Sequence, residues 1–248
     1  MGHAPRGDSI ESHFLNGAHC PTAELQQILY IAVMTDLTKP FWIPLFPLQT
    51  VLFPEGLIAL KIFEVRYLDM MKTCFKNQEF FGIVGIEEGA EIEDPAKPNI
   101  LLSEFGTLAK IIEFDPIQPA LYMTRSVGHA RFSLLQSKRE KNGLWMGEVQ
   151  CVSADPDIAV PDELNDTALL LSEIITSVQK QGLSESQLPF QEPYRLDDCA
   201  WVSNRLAEIL PLSVSQKNHL LMQDNPRLRL DLIHELLEDG VDLNSTLH

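Results

Sequence analysis

The hydrophobic pattern of this chain changes period once, at Asp155-Pro156, and that switch constrains the fold more than any other feature. Before it, apolar runs of strand length are separated by Gly, Pro and Asn turn residues. After it, apolar residues recur three and four apart between helix-capping residues. A period near 2 lines one face of a strand and a period near 3.6 lines one face of a helix, so neither pattern suits the other structure. Strands followed by helices, with little alternation, indicate the α+β class.

In the first part, Leu57–Glu64 follows a Phe53-Pro54-Glu55-Gly56 turn and has the length and composition of a strand. Val65–Gln78 is helical in spacing, with Tyr67, Leu68, Met71 and Phe75 on one face. Phe80–Ile86, Glu104–Phe114, Ala120–Val127, Ala130–Lys138 and Leu144–Val152 are further strands, after an acidic loop from Glu87 to Asn99. Gly128-His129 is expected as a turn. Asn142-Gly143 is expected as a type I′ hairpin turn, since both residues tolerate positive φ. Closely spaced strands with one helix point to a small twisted sheet or barrel.

In the second part, Pro161-Asp162-Glu163 opens a helix to about Gln181, with Gly182 at its C′ position. Asp197 is expected to cap a second helix ending at Leu210 before Pro211. Ser213 and Gln216 form a capping box for a third, and Asn225-Pro226 an N-cap and N1 pair for a fourth, closed by Gly240. Leu228, Ile233, Leu236 and Leu237 are its expected buried stripe. The organisation is therefore residues 1–38 as a variable or disordered extension, 39–154 as the β part and 155–248 as a helical bundle. The change of character after Met34 makes that residue an alternative start.

The formal charge is −16, from 19 basic and 35 acidic side chains. Residues 39–152 hold 12 basic and 14 acidic groups, whereas 153–248 hold 6 and 17, so the acidity lies mainly in the helices. A chain that neutralises phosphates needs the opposite balance, which argues against nucleic acid as the main partner. No apolar run approaches the roughly 20 residues of a membrane span, so no membrane partner is expected. Cys20, Cys74, Cys151 and Cys199 form no CxxC and have no histidine at ligand spacing. Without a secretory signal they are expected as free, mostly buried thiols of a cytoplasmic protein.

Chemical motifs are sparse. Neither GxxxxGK[ST] nor GxSxG occurs. His234-Glu235-Leu236-Leu237-Glu238 resembles a zinc-protease helix but has Glu238 where the second imidazole belongs, so no metal and no cofactor are expected. Glu64 and Arg66, beside Phe63 and Tyr67, form either a polar anchor at the lip of a groove or an ion pair fixing the helix to the sheet. Arg131 is expected as an exposed charge next to core Phe132, and Arg227 and Arg229 as a solvated helix face. Phe46, Phe53 and Phe63 are each expected in the core, and Trp201 as a helix-packing residue.

Ile43-Pro44-Leu45-Phe46-Pro47-Leu48, Val51-Leu52-Phe53-Pro54 and Leu60-Lys61-Ile62-Phe63-Glu64-Val65-Arg66-Tyr67-Leu68 resemble the opening signature of the Lon protease N-terminal domain family. The likeness continues through Gly106–Ile111 and Gly128–Phe132, then Asp197–Leu212 and Lys217–Leu237, covering about 42 to 239. It implies a PUA-like β-barrel followed by a C-terminal α-helical bundle. It also implies a stand-alone bacterial Lon-domain protein without the ATPase and Ser–Lys protease domains of full-length Lon. Glu55-Gly56 and Gln118-Pro119 depart from the family's usual turn residues.

The function implied by this resemblance is a non-catalytic protein-binding module that takes exposed or extended segments of client proteins, with Glu64, Arg66, Tyr67 and Arg131 as its candidate protein-binding residues. The alternatives are a hydrolase with a site in the barrel–bundle cleft, and RNA binding through the barrel.

Overall fold

Pro44 and Pro47 stand inside the first strand, where a proline is tolerated only on a side that needs no donor. The computed structural model, which describes residues 39–89, 100–180 and 191–240, shows how this is met. Strand β1 (Phe41–Leu48) pairs with β6 (Trp145–Cys151) through Phe41–Leu45 and with β3 (Phe81–Glu88) through Leu45–Leu48. Each half is therefore bonded on one side only.

The remaining elements are β2 (Leu57–Ile62), α1 (Val65–Asn77), β4 (Leu101–Gln118), β5 (Leu121–Arg139), a 3₁₀ turn (Asp162–Leu164), α2 (Asn165–Lys180), α3 (Cys199–Ile209), α4 (Val214–Met222) and α5 (Pro226–Glu238). The six strands form one mixed sheet in the order β2-β5-β4-β3-β1-β6, and a further β5–β6 pairing closes five of them into a ring. Strand β2 stands outside that ring, joined to the first half of β5. The described residues all belong to one compact unit, Leu37–His248. Gln181, Gly182, Cys20, the N-terminal extension and most of the acidic loop lie outside the described residues.

Gly128-His129 is not a turn. Strand β5 runs unbroken through it, with one extra residue between the pairs Ala109–Gly128 and Thr107–Arg131. Glycine is required because the β1–β2 loop crosses there. The Glu55 amide donates to the Gly128 carbonyl and the Gly128 amide to the Gly56 carbonyl, both at 2.9 Å, and a Cβ would strike the Phe53 carbonyl. His129 is half-buried at the bulge, with its ring edge-on to Phe80 at 5.1 Å. Nor is Asn142-Gly143 a type I′ turn. Only Gly143 has positive φ (85°), and its amide donates to the Glu140 carbonyl at 2.9 Å, giving a three-residue loop closed by a left-handed glycine.

The Ser213–Gln216 capping box and the Asn225 cap form as expected, but α3 is capped by Asp198, whose carboxylate accepts from the Ala200 amide at 2.9 Å, and not by Asp197. On α5 the buried residues are Pro226, Arg229, Leu230 and Ile233, with Leu228 exposed. Of the expected stripe, Ile233 is buried and Leu237 packs against the same core, while Leu228 is exposed and Arg229 takes an inside position.

Two polar clamps join the helices to the sheet. In the first, Asp155 accepts from Arg131 Nη2 at 2.7 Å and from Arg229 Nη1 and Nη2 at 2.7 and 3.1 Å. The two arginines are 3% and 0% exposed, so neither is the solvated charge expected from the sequence. Their remaining donors reach the last carbonyls of α4: Arg131 Nη1 to Leu221 (2.8 Å) and Gln223 (3.0 Å), Arg229 Nε to Leu220 (3.0 Å). A helix end leaves such carbonyls without intrahelical donors and carries partial negative charge, which suits two guanidinium groups. Asn204 on α3 accepts a further bond from Arg229 at 2.9 Å.

In the second clamp, the Glu208 carboxylate on α3 accepts the Phe53 amide at 3.0 Å and pairs with Arg205 at 2.9 Å, while Arg205 Nη2 donates to the Pro54 carbonyl at 2.8 Å. Burial pushes the Glu208 carboxyl up, opposed by Arg205. Phe53 and Val51 project from the β1–β2 loop into the core formed by α2 to α5, which includes Trp201 as expected. A second core under α1 holds Phe46, Tyr67, Leu68 and Met71, and a third lies within the ring around Phe132.

Two measurements test this account. Arg229→Ala leaves Asp155 and the α4 carbonyls short of donors, so stability should fall by about 3–5 kcal/mol, read as a lower urea midpoint at unchanged m; a loss below about 1 kcal/mol would contradict the clamp. Burial, and then Lys110, hold the His129 imidazole below its ordinary 6.5, against a smaller opposing effect of Glu55. The unfolded chain therefore takes up this proton first, and stability is lost progressively as pH falls through the ordinary histidine range. His129→Phe should flatten that slope relative to the parent.

Candidate protein-binding surface

Three of the four candidate residues meet at one place. Glu64 is the N-cap residue of α1, with no side-chain cap bond, and its carboxylate lies 2.7 Å from Arg66 Nη2. Arg66 Nη1 donates to the Gly143 carbonyl at 2.9 Å, and the guanidinium lies 4.8 Å from the centre of the Tyr67 ring. Tyr67 is buried, 4.3 Å from Phe46 between ring centres. The ion pair therefore ties the strand-to-helix junction to the β5–β6 hairpin. The fourth candidate, Arg131, lies elsewhere, inside the Asp155 clamp.

What the junction exposes is apolar. Phe63 is 53% exposed and Val65 72%, so Phe63 is not the core residue expected from its neighbours. Strand alternation explains it: Leu60 and Ile62 point into the core, which turns Lys61 and Phe63 outward. On the same outer face the register sets Lys61 opposite Met123 and Ala59 opposite Arg125, and across β5 sets Met123 opposite Asp115 and Arg125 opposite Glu113. Met123, Ile112 and Ile117 are also exposed, and Arg125 pairs with Glu113 at 3.2 Å. Linear sequence hid this relation because Ile112 and Ile117, on β4, lie about fifty residues from Phe63 and are linked to β2 only across β5.

Two concave sites lie elsewhere. A cleft of about 450 Å³ is lined by Arg131, Ser133, Gln150, Cys151, Ser153 and Asp224. Burial pushes the Cys151 thiol up to about 11, so it stays protonated near neutral pH and is a poor nucleophile. A groove of about 430 Å³ between α4 and α5 has Leu212, Leu232 and Leu236 on its floor and Glu235 and Asp239 at its rim. His234, from the zinc-protease-like run, is 2.9 Å from the Thr167 hydroxyl and 3.5 Å from Glu238. Among the described residues no three His, Cys, Asp or Glu side chains are grouped to hold a metal ion.

The sequence pattern of the ATP-dependent protease La (LON) substrate-binding domain matches residues 42–239. The chain belongs to that family. A solved Lon N-terminal domain protein from Xanthomonas campestris is 32% identical and superposes with a TM-score of 0.62, covering 82% of this chain and 99% of its own. Among curated proteins, a LON peptidase N-terminal domain and RING finger protein of Schizosaccharomyces pombe is 24% identical over 218 residues, and a Lon protease of Anaeromyxobacter dehalogenans is 24% identical over 207. These alignments take in 77% and 80% of this chain but only 44% and 23% of the two relatives, so the chain spans less than half of either. This chain thus has a Lon N-terminal domain-like fold, a mixed six-stranded sheet with helices, and the family's name describes a substrate-binding domain.

The hairpin contact is testable. At Gly143 a Cβ would meet Arg66 Nη1 at 3.0 Å, and φ lies in the left-handed region. Gly143→Ala should cost about 1–2 kcal/mol, a fall in melting temperature of about 2–8 °C. Gly143→Asn, whose short polar side chain tolerates that region, should lose less.

Proposed function

We propose that this chain is a non-catalytic protein-binding module that captures exposed or extended segments of client polypeptides. The observation that carries this reading is the match of residues 42–239 to a substrate-binding domain. The apolar face around Phe63, Val65 and Met123 supports it, since burying exposed apolar side chains of an unfolded client supplies affinity without demanding one sequence. The closed ring of strands supports reading 39–154 as a PUA-like barrel, with 155–248 as its helical bundle. The free thiols Cys74, Cys151 and Cys199 support a reducing, cytoplasmic setting.

The test is fluorescence anisotropy with labelled α-lactalbumin, either reduced and carboxymethylated so that it stays unfolded, or native. Saturable binding to the unfolded form alone is expected. Phe63→Asp combined with Val65→Asp should weaken it about tenfold or more with only a small fall in melting temperature, because Val65 is mostly and Phe63 about half exposed. No saturable binding to the unfolded form would refute the reading.

A further inference from the structure

Strand β2 ends the sheet, and among the described residues its backbone pairs with β5 alone. Hydrogen bonding alternates along an antiparallel ladder. The Gly128 amide donates to the Gly56 carbonyl, so Ile58, Leu60 and Ile62 are the residues whose backbone groups face β5. The amides and carbonyls of Leu57, Ala59 and Lys61 point the other way, and they have no hydrogen-bond partner among the described residues. This edge is continuous: its register with β5 runs through six pairs without a bulge, whereas β3–β4, β4–β5 and β5–β6 all contain shifts. No proline interrupts Leu57–Ile62, and Lys61 is its only charge.

The geometry points to the outer edge of β2 as the place where an extended client segment is held, added as a further strand through backbone hydrogen bonds to Leu57, Ala59 and Lys61. The inference rests on the protein-binding reading and names its mode. Backbone donors and acceptors spaced two residues apart are complementary to a β-strand and to no other common backbone shape. They are also indifferent to the client's side chains, which suits a family that recognises substrates. Phe63, exposed one step beyond the edge, provides apolar contact at the end of the added strand. A second copy of the chain is disfavoured as the occupant, because two chains of formal charge −16 repel and because Lys61 is the kind of edge charge that discourages self-pairing.

The experiment combines one substitution with amide exchange. Ala59→Pro removes an outward N–H that the β2–β5 ladder does not use, so it is compatible with the edge position. It should weaken binding of unfolded, carboxymethylated α-lactalbumin at least about tenfold at unchanged melting temperature. In the unsubstituted protein, saturating probe should slow amide exchange at Leu57, Ala59 and Lys61, while Ile58, Leu60 and Ile62 are slow from the start. If the probe binds but those three amides are unaffected, or Ala59→Pro binds as the parent does, the edge is overturned and the protein-binding reading survives. If the three amides are already slow in the free protein, another segment of this chain or a second copy covers the edge, and the inference is overturned. If the parent binds no unfolded probe, both fall. Should Ala59→Pro fail to fold, the exchange measurement decides.

Discussion

The arrangement of the helices on the sheet depends on Asp155 and the two arginines that share it. Asp155 is 9% exposed at its side chain, and it stands between Arg131 of β5 and Arg229 of α5. Two cations and one anion would leave an uncompensated buried charge, which is costly. The exposed Asp224 carboxylate, 3.5 Å from Arg131 Nη2, and the C-terminal carbonyls of α4, which carry partial negative charge, supply the balance. Each partner needs the others: without the arginines α4 ends in unsatisfied carbonyls, and without α4 and Asp155 the arginines could not be buried. Such a network is weak evidence for net stability, because desolvation offsets most of the attraction. It is better understood as specifying one way for α4 and α5 to sit on β5.

The second clamp performs the same task at the other contact. Glu208 and Arg205 grip the backbone of Phe53 and Pro54, and Phe53 fills the helical core. Thr107 on β4 donates to the Leu52 carbonyl at 2.6 Å, so the β1–β2 loop is held by the sheet on one side and by α3 on the other, while Asn218 on α4 ties that helix to β4 through the Phe105 carbonyl at 2.8 Å. With this loop fixed, β2 leaves it in a set direction and lies along β5 outside the closed ring. The edge of β2 that no described strand pairs with, and the outward turn of Phe63, follow from that placement.

Much of the fold could be read from pattern. The strand and helix segments followed from hydrophobic period, and the Ser213 and Asn225 caps from local side-chain chemistry, because all of these depend on residues within one turn of each other. The errors share one cause. Gly128 has the composition of a turn, but it is there because another segment passes too close for a Cβ. Arg131 and Arg229 look like surface charges until Asp155 and the end of α4 supply acceptors from 24 and 74 residues, or a helix end, away. Phe63 sits in an apolar run, yet the strand ends one residue earlier and its alternation sends the side chain outward. Of the candidate residues, Glu64, Arg66 and Tyr67 are neighbours that their adjacency in sequence made legible, whereas the exposure of Phe63 beside them was not.

By itself the sequence determined the succession of a β part and a helical part, the division between a near-neutral sheet region and acidic helices, and the family, since those rest on local periodicity, on charge counts and on short runs of residues. Tertiary structure alone decided which arginines are buried, which glycine is a crossing point and which strand lies at the end of the described sheet. Those outcomes depend on acceptors, neighbours and pairings far apart along the chain, and a long-range partner leaves no mark on the local pattern of the residue that needs it.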